Sequence, residues 1–375
     1  MIIKNGNVFT PYFKFEKQDV RLENGVIAET GDCGADTAID AEGMYVIPGL
    51  IDQHTHGSLG GDWGDGKVES MRTMSEYYGR NGVTSVAATV TTLKLEDVEA
   101  AMRAIKAFGE EQKKELTGAR VRGINLESMF LSHEKKGAHL EEYLRLPDAG
   151  LVERLNEESG GLLRIVNVAP ELEGAMDFIR ELSDRFVISV AHTACDYDTA
   201  LLAHDAGARQ VTHFFNAMTS FLHRAPGVPG AVFDSKLNAE LICDGVHVHP
   251  SVIRTVFKLM ADRVIMISDS IRACGLSDGE YILGDLPVTV KAGRATLKDG
   301  TIAGSAASVM DDLRRVVSFG VPLEQAVRAA TCNPAKTLGI DGRTGFIIPG
   351  YDADIVVLDK ALDVKHVFIG GKKIV

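Results

Sequence analysis

Between residues 49 and 270 the chain keeps one rhythm. Short apolar runs, rich in Val, Ile and Leu, alternate with longer stretches whose apolar residues fall three or four apart. The short runs read as buried strands and the longer ones as amphipathic helices. Eight runs stand out: GLIDQHTH (49–56), TSVAATV (84–90), VRGINLE (121–127), RIVNVAPE (164–171), FVISVAH (186–192), RQVTHFFN (209–216), AELICDGVH (239–247) and VIMISDS (264–270). Helical spacing fills most of the gaps, as in SMRTMSEYYGRNG, LEDVEAAMRAIKAFGEEQKKEL and GAMDFIRELSD. Strand–helix alternation predicts a parallel sheet, and eight repeats are the count of a (β/α)8 barrel.

The rhythm differs on either side. Residues 1–45 read as short strands separated by Gly and Asn turns, with Asn24-Gly25 as a hairpin signal. Residues 279–305 read as β-hairpins, 306–319 and 322–338 as helices, and the segment after 343 as strands again. The predicted fold is therefore α/β. A TIM barrel spans 49–342 and carries a hairpin insertion at about 279–305. The two chain ends, 1–48 and 343–375, form a small β-sandwich beside it.

The polar residues of the predicted strands gather at one end. His54 and His56 close the first strand, Glu127 the third, His192 the fifth, His213 the sixth, His247 the seventh and Asp269 the eighth. Residues two apart on a strand share a face, so His54 and His56 aim two imidazoles at one point. In a closed barrel the carboxyl ends of the strands form a single rim, where barrel enzymes carry their sites. Packing alone gives no reason for imidazoles and carboxylates to prefer that rim. Individually each has a plainer reading: His192 and His213 as satisfied core histidines, Asp269 as a helix cap. A buried carboxylate such as Glu127 needs a partner or a metal. His223 and His249 stay open, and His133, His204 and His366 read as surface or structural residues.

Composition narrows the partners. The chain has 375 residues, 45% of them hydrophobic, and 52 acidic against 40 basic residues give a formal charge of −12. No polybasic face is visible, which argues against nucleic acid. No run reaches the roughly 18 apolar residues of a membrane span. The five scattered cysteines and the absence of a leader-like N-terminus suit a reduced, cytoplasmic protein.

These residues resemble the amidohydrolase superfamily and, within it, the N-acetylglucosamine-6-phosphate deacetylases. The resemblance runs over nearly the whole chain. It is carried by PGLIDQHTHG, EKKGAH, VAPE, AHTACDYDTALLAHDAGARQVTHFFNAM, RAPGVPGA, AELICDGVHVHP, SDSIRACGLSDGEY, DGTIAGSAASV, TCNPAKTLGI and GFIIPGYDADIVVLD, in that order. It implies that Glu127, His192 and His213 hold a divalent metal and that His54 and His56 hold, or help hold, a second. Zinc suits such ligands first, with iron or manganese as alternatives. The resemblance further implies that Asn216 and Ala217 bind the substrate phosphate. Arg224 would reach it from the neighbouring subunit of a homodimer. His139 would touch sugar hydroxyls and His247 would orient the substrate. Asp269 would take a proton from water and pass it to the departing nitrogen, in hydrolysis of a linear amide C–N bond. The products would be acetate and glucosamine 6-phosphate.

One stretch departs from the family pattern. After the glutamate the family reads Gly-Pro, whereas here Ser128 and Met129 follow. Glycine permits positive φ and proline fixes φ, so both properties are lost. The change reads as drift in a tolerant loop. The alternative is a shifted substrate: the galacto epimer, N-acetylgalactosamine 6-phosphate, or a different amide. A non-catalytic assembly role is disfavoured, because every expected ligand is kept.

Overall fold

The structure, a computed structural model, describes residues 1–33 and 38–375. Residues 34–37, in the N-terminal stretch read as strands, lie outside the described residues.

Eight parallel strands stand side by side in chain order: Leu50–Thr55, Val83–Val90, Arg120–Leu126, Leu163–Val168, Val187–Val190, Gln210–Val211, Asn238–Ile242 and Val264–Ile267. The first two are buried at every position, as expected of strands covered on both faces. The first and eighth strands meet at a seam made largely past the end of the eighth. The Asp269 N–H donates to the His54 carbonyl at 2.9 Å, and the His56 N–H to the Ser270 carbonyl at 2.8 Å. Ser268 Oγ donates to the buried Asp52 Oδ2 at 2.5 Å.

The sixth strand is much shorter than the predicted 209–216 run, pairing only over Gln210–Val211. The apolar signal ran on because Phe214 is fully buried in the main core. The backbone has left the ladder by then: His213 has φ 29°, and Asn216 N–H turns back to donate to the His213 carbonyl at 2.9 Å.

The helices follow their predicted periodicity. Leu95–Lys114 buries Val98, Ala101, Met102, Ile105 and Phe108 along one stripe. Its first turn carries Glu96 and Asp97 and its last Lys113 and Lys114, complementing the helix dipole. Val309–Ser318 begins with a reciprocal capping box between Ser308 and Asp311. The stretch predicted as one helix over 322–338 is two, Leu323–Ala330 and Cys332–Thr337, broken at Thr331 with φ −135°.

Strands from both chain ends share one sheet. Ile2–Phe9, Phe15–Glu23, Val26–Gly31 and Tyr45–Pro48 join Ile355–Leu358 and Val364–Ile369, with Tyr45–Pro48 antiparallel to Ile355–Leu358. Ile3, Val8, Val20, Ile27, Val46, Ile355 and Phe368 form its own apolar core. Arg120 and Arg122, at the start of the third barrel strand, reach Asp352 at 3.0 and 2.6 Å and tie this sheet to the barrel. A further sheet, wholly antiparallel and made of Gly279–Leu283, Leu286–Lys291, Arg294–Thr296 and Ile302–Ser305, sits by the opposite end of the barrel. It is fastened to the rim through Ser305, whose N–H donates to the Asp269 carbonyl at 2.8 Å.

Candidate active site

The strand ends deliver their polar residues to one buried cluster. Glu127 is at its centre, immediately past the third strand. Its Oε1 lies 3.0 Å from His213 Nε2 and 3.4 Å from His192 Nε2. Its Oε2 lies 3.1 Å from His56 Nε2 and 3.4 Å from His54 Nε2. Asp269 Oδ1 is 3.2 Å from His56 Nε2 and 3.5 Å from His54 Nε2. Each of these six residues is at most 7% exposed.

Three of them leave the strand in left-handed backbone: His192 at φ 41°, His213 at 29° and Asp269 at 49°. Such conformations cost about 1–3 kcal/mol each for residues other than glycine. Here the turn swings the side chain off the sheet pleat and over the barrel mouth. Nearby glycines allow the covering loops to come close. A Cβ on Gly137 would lie 3.2 Å from His192 Cε1, and one on Gly304 would lie 2.9 Å from the Asp269 carbonyl oxygen.

The cluster opens into a cavity of about 500 Å³. Its floor is His56, Glu127, His192, His213 and Asp269, and its walls include Lys135, Lys136, His139, Asn216, Ala217 and His247. Asp299 and Thr301, in the last turn of the antiparallel rim sheet, and Ile302 of its last strand also line it. Arg224 is exposed and lines a separate depression, which shares Lys135 with the cavity. Within one chain the structure therefore does not bring Arg224 to the cluster. His249, open in the sequence, is a helix cap: its Nδ1 accepts from the Ser251 N–H at 3.2 Å. His133 pairs on the surface with Glu141.

Electrostatics follow from burial and neighbours. Burial raises the Glu127 carboxyl, but His54 and hydrogen bonds from His192 and His213 outweigh it and hold it well below the usual range. For Asp269, burial is likewise outweighed by the His56 hydrogen bond and the charge of His54 and His56, leaving its carboxyl lowered. Burial would lower the His56 imidazole, but Asp269 and Glu127 push it up to about 9. His139 runs the other way: burial and the nearby His192 depress it well below its ordinary value. The carboxylates thus demand positive charge at the point where the imidazoles converge.

A profile of the Amidohydrolase family matches residues 45–374. The chain belongs to the amidohydrolase family. It is 37% identical over 325 residues to N-acetylglucosamine-6-phosphate deacetylase of Bacillus subtilis (strain 168), covering 85% of this chain and 82% of the relative. It is 34% identical over 361 residues to N-acetylgalactosamine-6-phosphate deacetylase of Escherichia coli O157:H7, covering 95% and 94%. Among solved structures, an aspartate-to-alanine variant of the Mycobacterium smegmatis N-acetyl-D-glucosamine-6-phosphate deacetylase, in complex with N-acetyl-D-glucosamine-6-phosphate, matches with a TM-score of 0.92. That pair is 32% identical over 100% of this chain and 99% of the other.

The donor set of this amidohydrolase fits a divalent metal. His54, His56 and Glu127 offer ligand atoms within 4.8 Å of one another, and so do Glu127, His139 and His192. His139 was expected to touch sugar, and its position beside His192, with ring centroids 4.5 Å apart, also brings it into this second group. Buried His54 Nε2 and His213 Nδ1 have no hydrogen-bond partner among the described residues. His192 Nδ1 donates to the Lys135 carbonyl at 2.8 Å, which leaves Nε2 as the lone-pair nitrogen of the neutral ring. That nitrogen faces His213 Nε2 at 2.9 Å, an approach suited to a shared cation.

The departure after Glu127 is also resolved in space. Ser128 is fully buried and Met129 is 1% exposed, within the main apolar core. Neither lines the cavity. The Met129 thioether packs into the protein, because an apolar side chain gains more from burial than from a polar rim. Met129 has φ 21°, a value the proline ring cannot adopt, so this loop follows a path that Gly-Pro would not.

Sequence reasoning missed two supporting carboxylates. Asp244 Oδ1 accepts the His247 N–H at 2.9 Å, and Oδ2 lies 2.8 Å from His247 Nδ1. The three-residue spacing of D-G-V-H was the available signal. Glu240 Oε2 lies 2.9 Å from His54 Nδ1. A lone carboxylate in the middle of the apolar AELIC run was the signal there.

Proposed function

We propose that this amidohydrolase hydrolyses the acetamide of N-acetylglucosamine 6-phosphate, releasing acetate and glucosamine 6-phosphate. The observation that carries this reading is Glu127 ringed by four imidazoles, with Asp269 at 3.2 Å from His56 beside them. The named activities of the Bacillus subtilis and Mycobacterium smegmatis relatives support the substrate.

Glu127, His192 and His213 are the ligands we assign to a first ion, with His54 and His56 toward a second. Zinc is the first choice, with iron or manganese as alternatives. A divalent metal held there supplies Lewis acidity, polarising a carbonyl and lowering the pKa of water from about 15.7 toward about 7. Asp269 then acts as general base toward the attacking water. It returns the proton to the amine nitrogen as the C–N bond breaks, which frees the amine as a neutral leaving group. His247, oriented by Asp244, hydrogen-bonds the carbonyl oxygen as negative charge develops on it. His139 contacts sugar hydroxyls.

Asn216 and Ala217 hold the phosphate, and Arg224 reaches it from the partner subunit of a homodimer. A guanidinium fork suits phosphate in a chain of formal charge −12. We read the protein as cytoplasmic. We divide it into a barrel over 49–342, with its insertion at 279–305, and an end domain from 1–48 and 343–375.

A second reading is deacetylation of the galacto epimer. It is favoured by the Escherichia coli relative named for that substrate. Acetate release from both epimers by zinc-reconstituted protein decides between them. Faster turnover of the gluco substrate supports the first reading, faster turnover of the galacto substrate the second. Turnover of neither, with metal bound, removes both.

A further inference from the structure

Beneath the cluster, inside the barrel, lies a polar layer that no step above uses. Glu240 is its centre, fully buried on the seventh strand. Its Oε1 accepts from Gln53 Nε2 at 2.7 Å and from Gln210 Nε2 at 3.1 Å. Its Oε2 faces His54 Nδ1 at 2.9 Å. Among the described residues, His54 is the ion-pair partner of this carboxylate, with neither lysine nor arginine in range.

We propose that Glu240 is a positioning residue for metal binding, fixing His54 as the tautomer that presents Nε2 to the ion. The proposal rests on the reading of His54 as a ligand. The argument is one of donors and acceptors. Both glutamines turn amide N–H groups toward Glu240 Oε1, which therefore accepts, and in the contact of Oε2 with His54 Nδ1 imidazole is the more basic partner, so Oε2 faces the ring as a carboxylate oxygen. The remaining partner, His54 Nδ1, must then supply a proton. In the neutral ring this leaves the lone pair on Nε2. That nitrogen is buried, has no hydrogen-bond partner, and points between Glu127 Oε2 at 3.4 Å and Asp269 Oδ1 at 3.5 Å. Three electron-rich atoms facing one point repel each other unless a cation lies among them. Histidine ligands are commonly fixed in this way by a carboxylate on the other ring nitrogen.

His56 provides the internal contrast. Its Nδ1 is buried without a hydrogen-bond partner, so its ring has no equivalent brace. The first histidine of the pair is pinned from behind, and the second is oriented by its own backbone and by the groups in front of it.

The test compares Glu240→Gln with Gln210→Met. The first keeps size and removes the charge behind His54. The second breaks the same polar layer but spares the His54 contact. Zinc affinity is measured by competition with a chromophoric chelator. The visible spectrum of the cobalt(II) form and the melting temperature of the chelated protein are recorded beside it. Glu240→Gln should weaken ion binding about 10–100-fold, the usual cost of losing such a partner, and alter the cobalt spectrum. Gln210→Met should leave both near wild type. Equal losses in the two variants, tracking melting temperature, would reduce Glu240 to a packing role and overturn the proposal. Glu240→Asp keeps the charge and should retain more affinity than Glu240→Gln, which covers a failure of the glutamine variant to fold. His54→Ala separates the two readings: a loss there with none in Glu240→Gln overturns the positioning role alone, and a loss in neither overturns the ligand assignment as well.

Discussion

The third barrel strand has a dense charge cluster at each end, and the two behave differently. At its start, Arg120 and Arg122 meet Asp352 and Asp354, joined by Arg343, whose Nη2 lies 2.6 Å from Asp352 Oδ1. Burial raises the Asp352 carboxyl, but Arg122 and Arg343 outweigh it and hold it low. Guanidinium is a permanent cation with a fixed fork of donors, so this cluster carries its own counter-charge. Past the other end, the ion-pair partners of Glu127 and Asp269 among the described residues are imidazoles. An imidazole, unlike a guanidinium, can present a nitrogen lone pair, and these rings leave buried nitrogens without partners among the described residues. One end of the strand closes its own electrostatics and joins two sheets. The other leaves them open, and an open set of lone pairs is what binds a metal.

The contrast breaks most completely at Glu127. Glu127→Ala removes the carboxylate shared by four imidazoles, so bound metal should be lost and turnover should fall to background. Full metal content in that variant, measured by elemental analysis, would show that the histidines suffice. Asp269→Asn should keep fold and metal while slowing turnover about 10²–10⁴-fold, the range for a lost general acid–base. Activity near wild type would end the proton-transfer role.

At the opposite end, Asp352→Ala should cost about 3 kcal/mol of stability. That is the low end for a broken buried pair, since the arginines keep some solvent contact. Chemical denaturation measures this, and the metal content should stay unchanged; a parallel loss of metal would mean the two ends are not independent. The smallest effect is expected outside both clusters. Arg224→Ala should raise KM for the phosphorylated sugar by roughly 1.5–3 kcal/mol of binding, the worth of a charged hydrogen bond. KM for the bare sugar should hardly move, and equal changes for both would remove the phosphate assignment.

Much of this architecture was legible because it is periodic. The eight strands announce themselves by composition, and His54, Glu127 and Asp269 by ending apolar runs. What periodicity hides is where a strand stops. Phe214 is buried whether or not it is hydrogen-bonded in a ladder, so RQVTHFFN reads as one strand although its backbone turns at His213. Side-chain direction is equally silent. Met129 follows a cluster residue in sequence, yet it points into the core. Glu240 and Asp244 act through other residues, and their partners lie on different strands or across a turn that only coordinates reveal. Arg224 is a third kind of case, because a single chain does not bring it to the cavity.

The seam between the first and eighth strands has a consequence for the order of events in the life of the chain. Asp52 and Ser268 join across 216 residues, and Asp269 takes its place by the same closure. During synthesis the imidazoles of the cluster all emerge before the aspartate that would work with them. Ordering so long a loop is entropically costly until the strands between are in place. The ability to turn over substrate therefore arrives last and at once, when the two ends of the barrel meet, and a nascent chain short of that closure holds the histidines of a hydrolase without being one.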